Sequence, residues 1–102
     1  MSAAKGDLKP FLDEAGRLTA LPAKHKKKLA ALWYLAGKLQ AGRQYSEPEI
    51  NALLDEWTLF HDPATLRREL YNKRLLDRTA DCGRYWKEES ISTLEAFLAQ
   101  YL

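Results

Sequence analysis

Residues that carry chemistry are scarce in this chain. It has one cysteine, Cys82, so no intrachain disulfide can form, which fits a reducing compartment. Its two histidines, His25 and His61, stand far apart, and no Cys or His pair has ligand spacing, so no metal site is expected. No Gly-rich phosphate loop, nucleophile elbow or HExxH motif appears, and the set of acids, bases and nucleophiles is thin. The chain is therefore expected not to be an enzyme and to need no cofactor. Long apolar runs are absent too: the longest, Leu29 to Ala36, is far too short to span a bilayer, so no membrane partner is expected. Met1 to Asp7 holds no apolar segment of the secretory kind, and a cytoplasmic location is expected. Net charge is only +2, which by itself makes no case for a polyanionic partner.

What is present is a globular composition, 46% hydrophobic and 29% charged, in a length of 102 residues that suits one domain. Residues 1–10 read as a flexible end and residues 11–102 as the domain. Leu18 and Leu21 would anchor an extended stretch, which Pro22 separates from the first helix. That helix is expected from about Ala23 to about Gln40, with Leu29, Leu32, Trp33, Ala36 and Leu39 on one stripe and Gly42 ending it. Lys24, Lys26, Lys27 and Lys28 crowd its first turn, where each exposed positive charge opposes the helix dipole by roughly a few tenths of a kcal/mol. They form either a solvated face or a phosphate-facing cluster.

The second helix has the clearest start. Ser46 is its N-cap, Glu49 completes a capping box, Pro48 sits at N2, and Tyr45 can staple onto Ile50. Its core stripe is Ile50, Leu53, Leu54 and Trp57, and it ends near Trp57 or Thr58. After the turn Thr58-Leu59-Phe60-His61, Asp62 caps a third helix with Pro63 at N1. Leu66 and Leu70 face inward. The other side carries Ala64, Thr65, Arg68, Tyr71 and Asn72, with Arg67 at the flank. Asp81-Cys82-Gly83 then marks a turn, with Gly83 able to take a positive φ, and Tyr85 and Trp86 favour a return strand. Trp33 and Trp57 are expected in the core and Trp86 partly exposed. A last helix over 92–101 has a second capping box, Ser92 with Glu95, and an apolar stripe of Leu94, Phe97, Leu98 and Tyr101.

This pattern is mainly α with a small β-hairpin: a winged helix-turn-helix (helix-turn-helix 46–74, wing 75–88) plus a C-terminal helix. In that plan the second helix of the motif enters the major groove, and basic residues around it contact phosphates. Arg67 and Arg68 can bind guanine or phosphate with two donors, Asn72 can pair with adenine, and Thr65 can touch a phosphate or a thymine methyl. The wing adds Arg78, Arg84 and Lys87. From His61 to Lys87 seven basic side chains stand against four acidic ones, a net of +3, whereas the residues from Glu88 onward carry −3. These residues point to double-stranded DNA. The other reading is a protein–protein interaction module in a regulatory complex, with salt bridges on a solvated face. The C-terminal stripe would either cover the chain's own core or pair with a second copy as a homodimer.

The chain resembles the bacterial domain of unknown function 2087 (DUF2087). The resemblance rests on Gly16-Arg17-Leu18, Pro22-Ala23-Lys24 with Lys27-Lys28, and Tyr45-Ser46-Glu47-Pro48-Glu49-Ile50-Asn51. It continues through Asp62-Pro63-Ala64-Thr65-Leu66-Arg67-Arg68-Glu69-Leu70 and Leu75-Leu76-Asp77-Arg78 to Gly83-Arg84-Tyr85-Trp86. It implies a winged-helix-like domain found in or beside transcriptional regulators, with no established enzymatic activity and no cofactor. Leu70-Tyr71-Asn72-Lys73-Arg74 replaces a Leu-Val-Asp stretch common in the family and adds positive charge. The helix after Trp86 lies outside the resemblance.

Overall fold

The computed structural model describes residues 8–89 and 93–101. In chain order they form a 3₁₀ turn (Lys9–Phe11), α1 (His25–Ala36), β1 (Gln44–Tyr45), α2 (Glu47–Glu56), α3 (Pro63–Asn72), β2 (Leu76–Arg78), β3 (Tyr85–Lys87) and α4 (Leu94–Tyr101). The fold is mainly α with a small antiparallel sheet, ordered β1-β3-β2. In register, Leu76 faces Lys87, Asp77 faces Trp86 and Arg78 faces Tyr85, while Gln44 faces Trp86 and Tyr45 faces Tyr85. Because cross-strand partners share a face, Tyr45, Leu76, Arg78, Tyr85 and Lys87 lie on one side of the sheet. Tyr45, Leu76 and Tyr85 are buried there, and Trp86, on the other side, is half-buried.

Local signals set most boundaries. The capping box forms as its sequence demands: Ser46 Oγ accepts the Glu49 N–H (3.3 Å), and Glu49 Oε1 accepts the Ser46 N–H (2.8 Å). Asp62 Oδ1 accepts the Thr65 N–H (3.4 Å), and Pro63 begins α3. Two boundaries differ from expectation. α1 stops at Ala36 with Gly37 as its C-cap, not near Gln40, and Gly42 takes its positive φ of 78° in the turn that follows. That turn is closed from outside the helix, since the Tyr45 hydroxyl accepts the Gln40 N–H (2.9 Å). At the hairpin tip the positive φ belongs to Cys82 (61°) rather than to Gly83. The tip is pinned by side chains: Thr79 Oγ1 accepts N–H groups from Gly83 (3.1 Å) and Arg84 (3.2 Å), and Asp81 Oδ1 accepts the Gly83 N–H (2.9 Å). The expected Ser92 cap lies outside the described residues; Thr93 Oγ1 accepts the Ala96 N–H (3.3 Å) at the start of α4.

The core gathers Leu29, Leu32 and Leu35 of α1, Ile50 and Leu54 of α2, Leu66 and Leu70 of α3, and Leu94 and Phe97 of α4. Trp33 and Trp57 are half-buried at its edge rather than inside it. The segment before α1 belongs to the body. Leu8, which a boundary at residue 10 leaves outside the domain, is fully buried, and residues 1–7 lie outside the described residues. Leu18 donates to Trp57 O (2.8 Å) and accepts the Leu59 N–H (2.8 Å), strapping this segment across the turn between α2 and α3. α4 packs on α1, with its Leu94 and Phe97 in the chain's own core, so a homodimer through this helix is left with the half-buried Leu98 and Tyr101.

Candidate nucleic-acid interface

The solvent-facing arc of α3 follows from its period. With Leu66 and Leu70 inward, a rotation of about 100° per residue places Ala64, Arg68, Tyr71 and Asn72 outward. All four are exposed, while Thr65 is half-buried. Glu69 turns to the opposite flank, where its carboxylate is ion-paired with Lys28 of α1. That pairing holds the Glu69 carboxyl below its usual 4.5, despite partial burial pulling the other way. The single acid of α3 is thus paired with Lys28, and the charges of Lys73 and Arg68 also act on it through space. Lys28 is correspondingly not a free phosphate ligand, and Lys27 lies over the Phe11 ring (5.9 Å).

Arg67 and Arg68 were equivalent in the sequence and are not equivalent in space. Arg67 has only 18% of its side chain exposed. Its Nη1 donates to the Tyr85 hydroxyl on β3 (3.0 Å) and pairs with Glu47 Oε1 on α2 (3.1 Å), while its Nε is buried without an acceptor among the described residues. It is a tie between three elements, not a free base-reading side chain. Arg68 is exposed and has no ion pair among the described residues. Arg78 comes across from β2 to the same region. Its guanidinium stacks on the Tyr71 ring (4.4 Å), and its Nη1 donates to Thr79 O (3.3 Å) and contacts Cys82 Sγ (3.0 Å).

The structure therefore brings Arg67, Arg68, Asn72 and Arg78 around one cleft between α3 and the hairpin. Thr65, Arg84 and Lys87 do not line it. Arg84 is exposed at the tip, where its backbone is held by Thr79, and Lys87 is half-buried at the hairpin base opposite Leu76. Four cleft residues were outside the expected site: Ala64, Tyr71, Cys82 and Tyr85. Tyr71 was legible as a large aromatic, 40% exposed here, on the outer arc of α3. Cys82, in the expected turn, is half-buried against Arg78, a long-side-chain contact that no sequence spacing announces. A second recess, between the end of α3 and the hairpin base, is lined by Asp77 and Glu88 as well as Arg74, and it bounds the basic face on that side. Among the described residues no group of three or more His, Cys, Asp or Glu is placed to hold a metal ion, and no helix is long and apolar enough to cross a membrane.

Helix, strand, two helices and a hairpin, with the second helix of the pair presenting a basic outer arc beside that hairpin, define a winged helix-turn-helix domain. The chain belongs to DUF2087, described as an uncharacterized protein conserved in bacteria, whose family model matches residues 17–87. The match spans the strap, the helix-turn-helix and the hairpin, and it ends before α4. No curated protein and no solved structure matches the chain.

Proposed function

We propose that this chain is the DNA-binding domain of a transcriptional regulator, reading duplex DNA with α3 and contacting phosphates with the hairpin. One observation carries the reading: Arg68 and Asn72 on the outer arc of α3 stand beside Arg78 of the wing, and no carboxylate among the described residues lines the cleft they share. Exposed guanidinium and amide groups on one helix are the donors and acceptors that major-groove base edges require. Arg84 at the hairpin tip is suited to the adjacent backbone. Arg67 serves this site by holding α3 against β3.

Fluorescence titration of labelled duplex DNA at several salt concentrations tests the proposal. Affinity should fall steeply as salt rises, because each phosphate neutralised releases counterions, and Arg68→Ala should weaken binding. A chain that binds no duplex even at low salt would sink the reading and leave the protein–protein interaction module in its place.

A further inference from the structure

The cleft between α3 and the hairpin has a volume of about 330 Å³. Three guanidinium groups line it, from Arg67, Arg68 and Arg78, and among the described residues no carboxylate does. Among the described residues only Arg67 of the three has an ion pair, with Glu47. Arg78 is held in place by Tyr71 beneath it and by Thr79 O and Cys82 Sγ at one nitrogen, which leaves its other donors open. The Tyr85 hydroxyl, on a residue only 2% exposed, accepts from Arg67 and has no acceptor for its own proton among the described residues. Two unneutralised guanidinium forks and a buried phenol proton match the oxygens of a dianionic phosphoryl group.

We propose that this cleft binds a small organic phosphomonoester, its phosphoryl oxygens on Arg68, Arg78 and the Tyr85 hydroxyl and its apolar part beside Tyr71. The site stands on the cleft's geometry and does not depend on the DNA reading, although the two share Arg68 and Arg78. Pockets near this size are at the lower end of those that take small ligands, and the exposed Tyr71 ring supplies the apolar surface that such ligands need.

The test is a titration of the full, isotope-labelled chain with phenyl phosphate and, separately, inorganic phosphate, at constant ionic strength and without DNA. Phenyl phosphate should give saturable chemical-shift changes on α3 and the hairpin, with a Kd of about 1 mM or tighter. Inorganic phosphate should bind about tenfold more weakly, for want of the apolar contact. Arg78→Gln and Arg68→Gln should each weaken phenyl phosphate binding about tenfold, and Arg43→Gln, on the Glu49 side of the molecule, should leave it unchanged. Arg68 is exposed, so its variant keeps the test valid if Arg78→Gln fails to fold. No saturable change with phenyl phosphate, or equal losses in all three variants, overturns the proposal. Because no DNA is present, that failure is separate from failure to bind a duplex.

Discussion

Among the described residues, three other than glycine sit in the left-handed region, His61 (φ 47°), Arg74 (φ 58°) and Cys82 (φ 61°), and each lies at a junction around α3 or the hairpin. Arg74 is the simplest to interpret. The Leu75 N–H reaches Leu70 O (2.9 Å) and the Arg74 N–H reaches Tyr71 O (3.1 Å), the paired bonds of a Schellman ending in which glycine is the usual occupant of the left-handed position. Arg74→Gly should therefore stabilise the chain by about 1 kcal/mol, raising the thermal midpoint by roughly 4 °C, as calorimetry would show. The two neighbouring arginines should separate under the same kind of measurement. Arg67→Ala removes charge-assisted bonds to Tyr85 and Glu47 and should cost about 2 kcal/mol in urea unfolding. Arg68 is exposed and without an ion pair among the described residues, so Arg68→Ala should stay within about 0.5 kcal/mol. Equal stability losses would mean that the two side chains are not divided between support and recognition.

At the scale of elements, the fold is held by contacts between helices that local signals place but do not join. Lys28 and Glu69 link α1 to α3, and the Glu69 carboxyl is lowered below its ordinary 4.5 chiefly by that lysine. A carboxyl with a depressed folded value contributes stability that is fully present above its unfolded value and is lost as pH falls through the folded one. Glu49 behaves likewise, its carboxyl lowered first by the Ser46 N–H. The urea midpoint should therefore drop as pH is taken below about 4.5, and Glu69→Gln should flatten part of that slope. A slope unchanged by Glu69→Gln would remove the pair from the account. Ser46→Ala, which deletes one half of the capping box, should cost about 1 kcal/mol at neutral pH.

At the scale of the whole molecule, α4 lies beyond the family match, and yet it completes the core. Phe97 is 3% exposed and its ring meets that of Tyr101 at 5.2 Å, while His25 of α1 hydrogen-bonds Tyr101 O at 3.2 Å. Phe97→Ala should therefore destabilise the entire domain by about 3 kcal/mol, with one unfolding transition in circular dichroism and fluorescence alike. A variant that loses only the α4 signal while the helix-turn-helix melts unchanged would show the helix to be an appendage.

The amino-acid sequence by itself determined where the helices of the motif begin and which of their faces turn inward. Ser46 with Glu49 and Asp62 with Pro63 act through bonds within three residues, and the spacings of Ile50 and Leu54 and of Leu66 and Leu70 need no distant partner. The two-residue strand Gln44–Tyr45 was not legible, because it is too short to show alternation and exists only as the partner of Tyr85 and Trp86. Only the tertiary structure decided that Arg67 is a tie while Arg68 is free, that Glu69 is drawn off by Lys28, and that Arg78, Cys82 and Tyr85 close a cleft against α3. The reason is physical. Caps and periodicity are local energies written along the chain, whereas the partner of a long charged side chain is fixed by which element packs beside it.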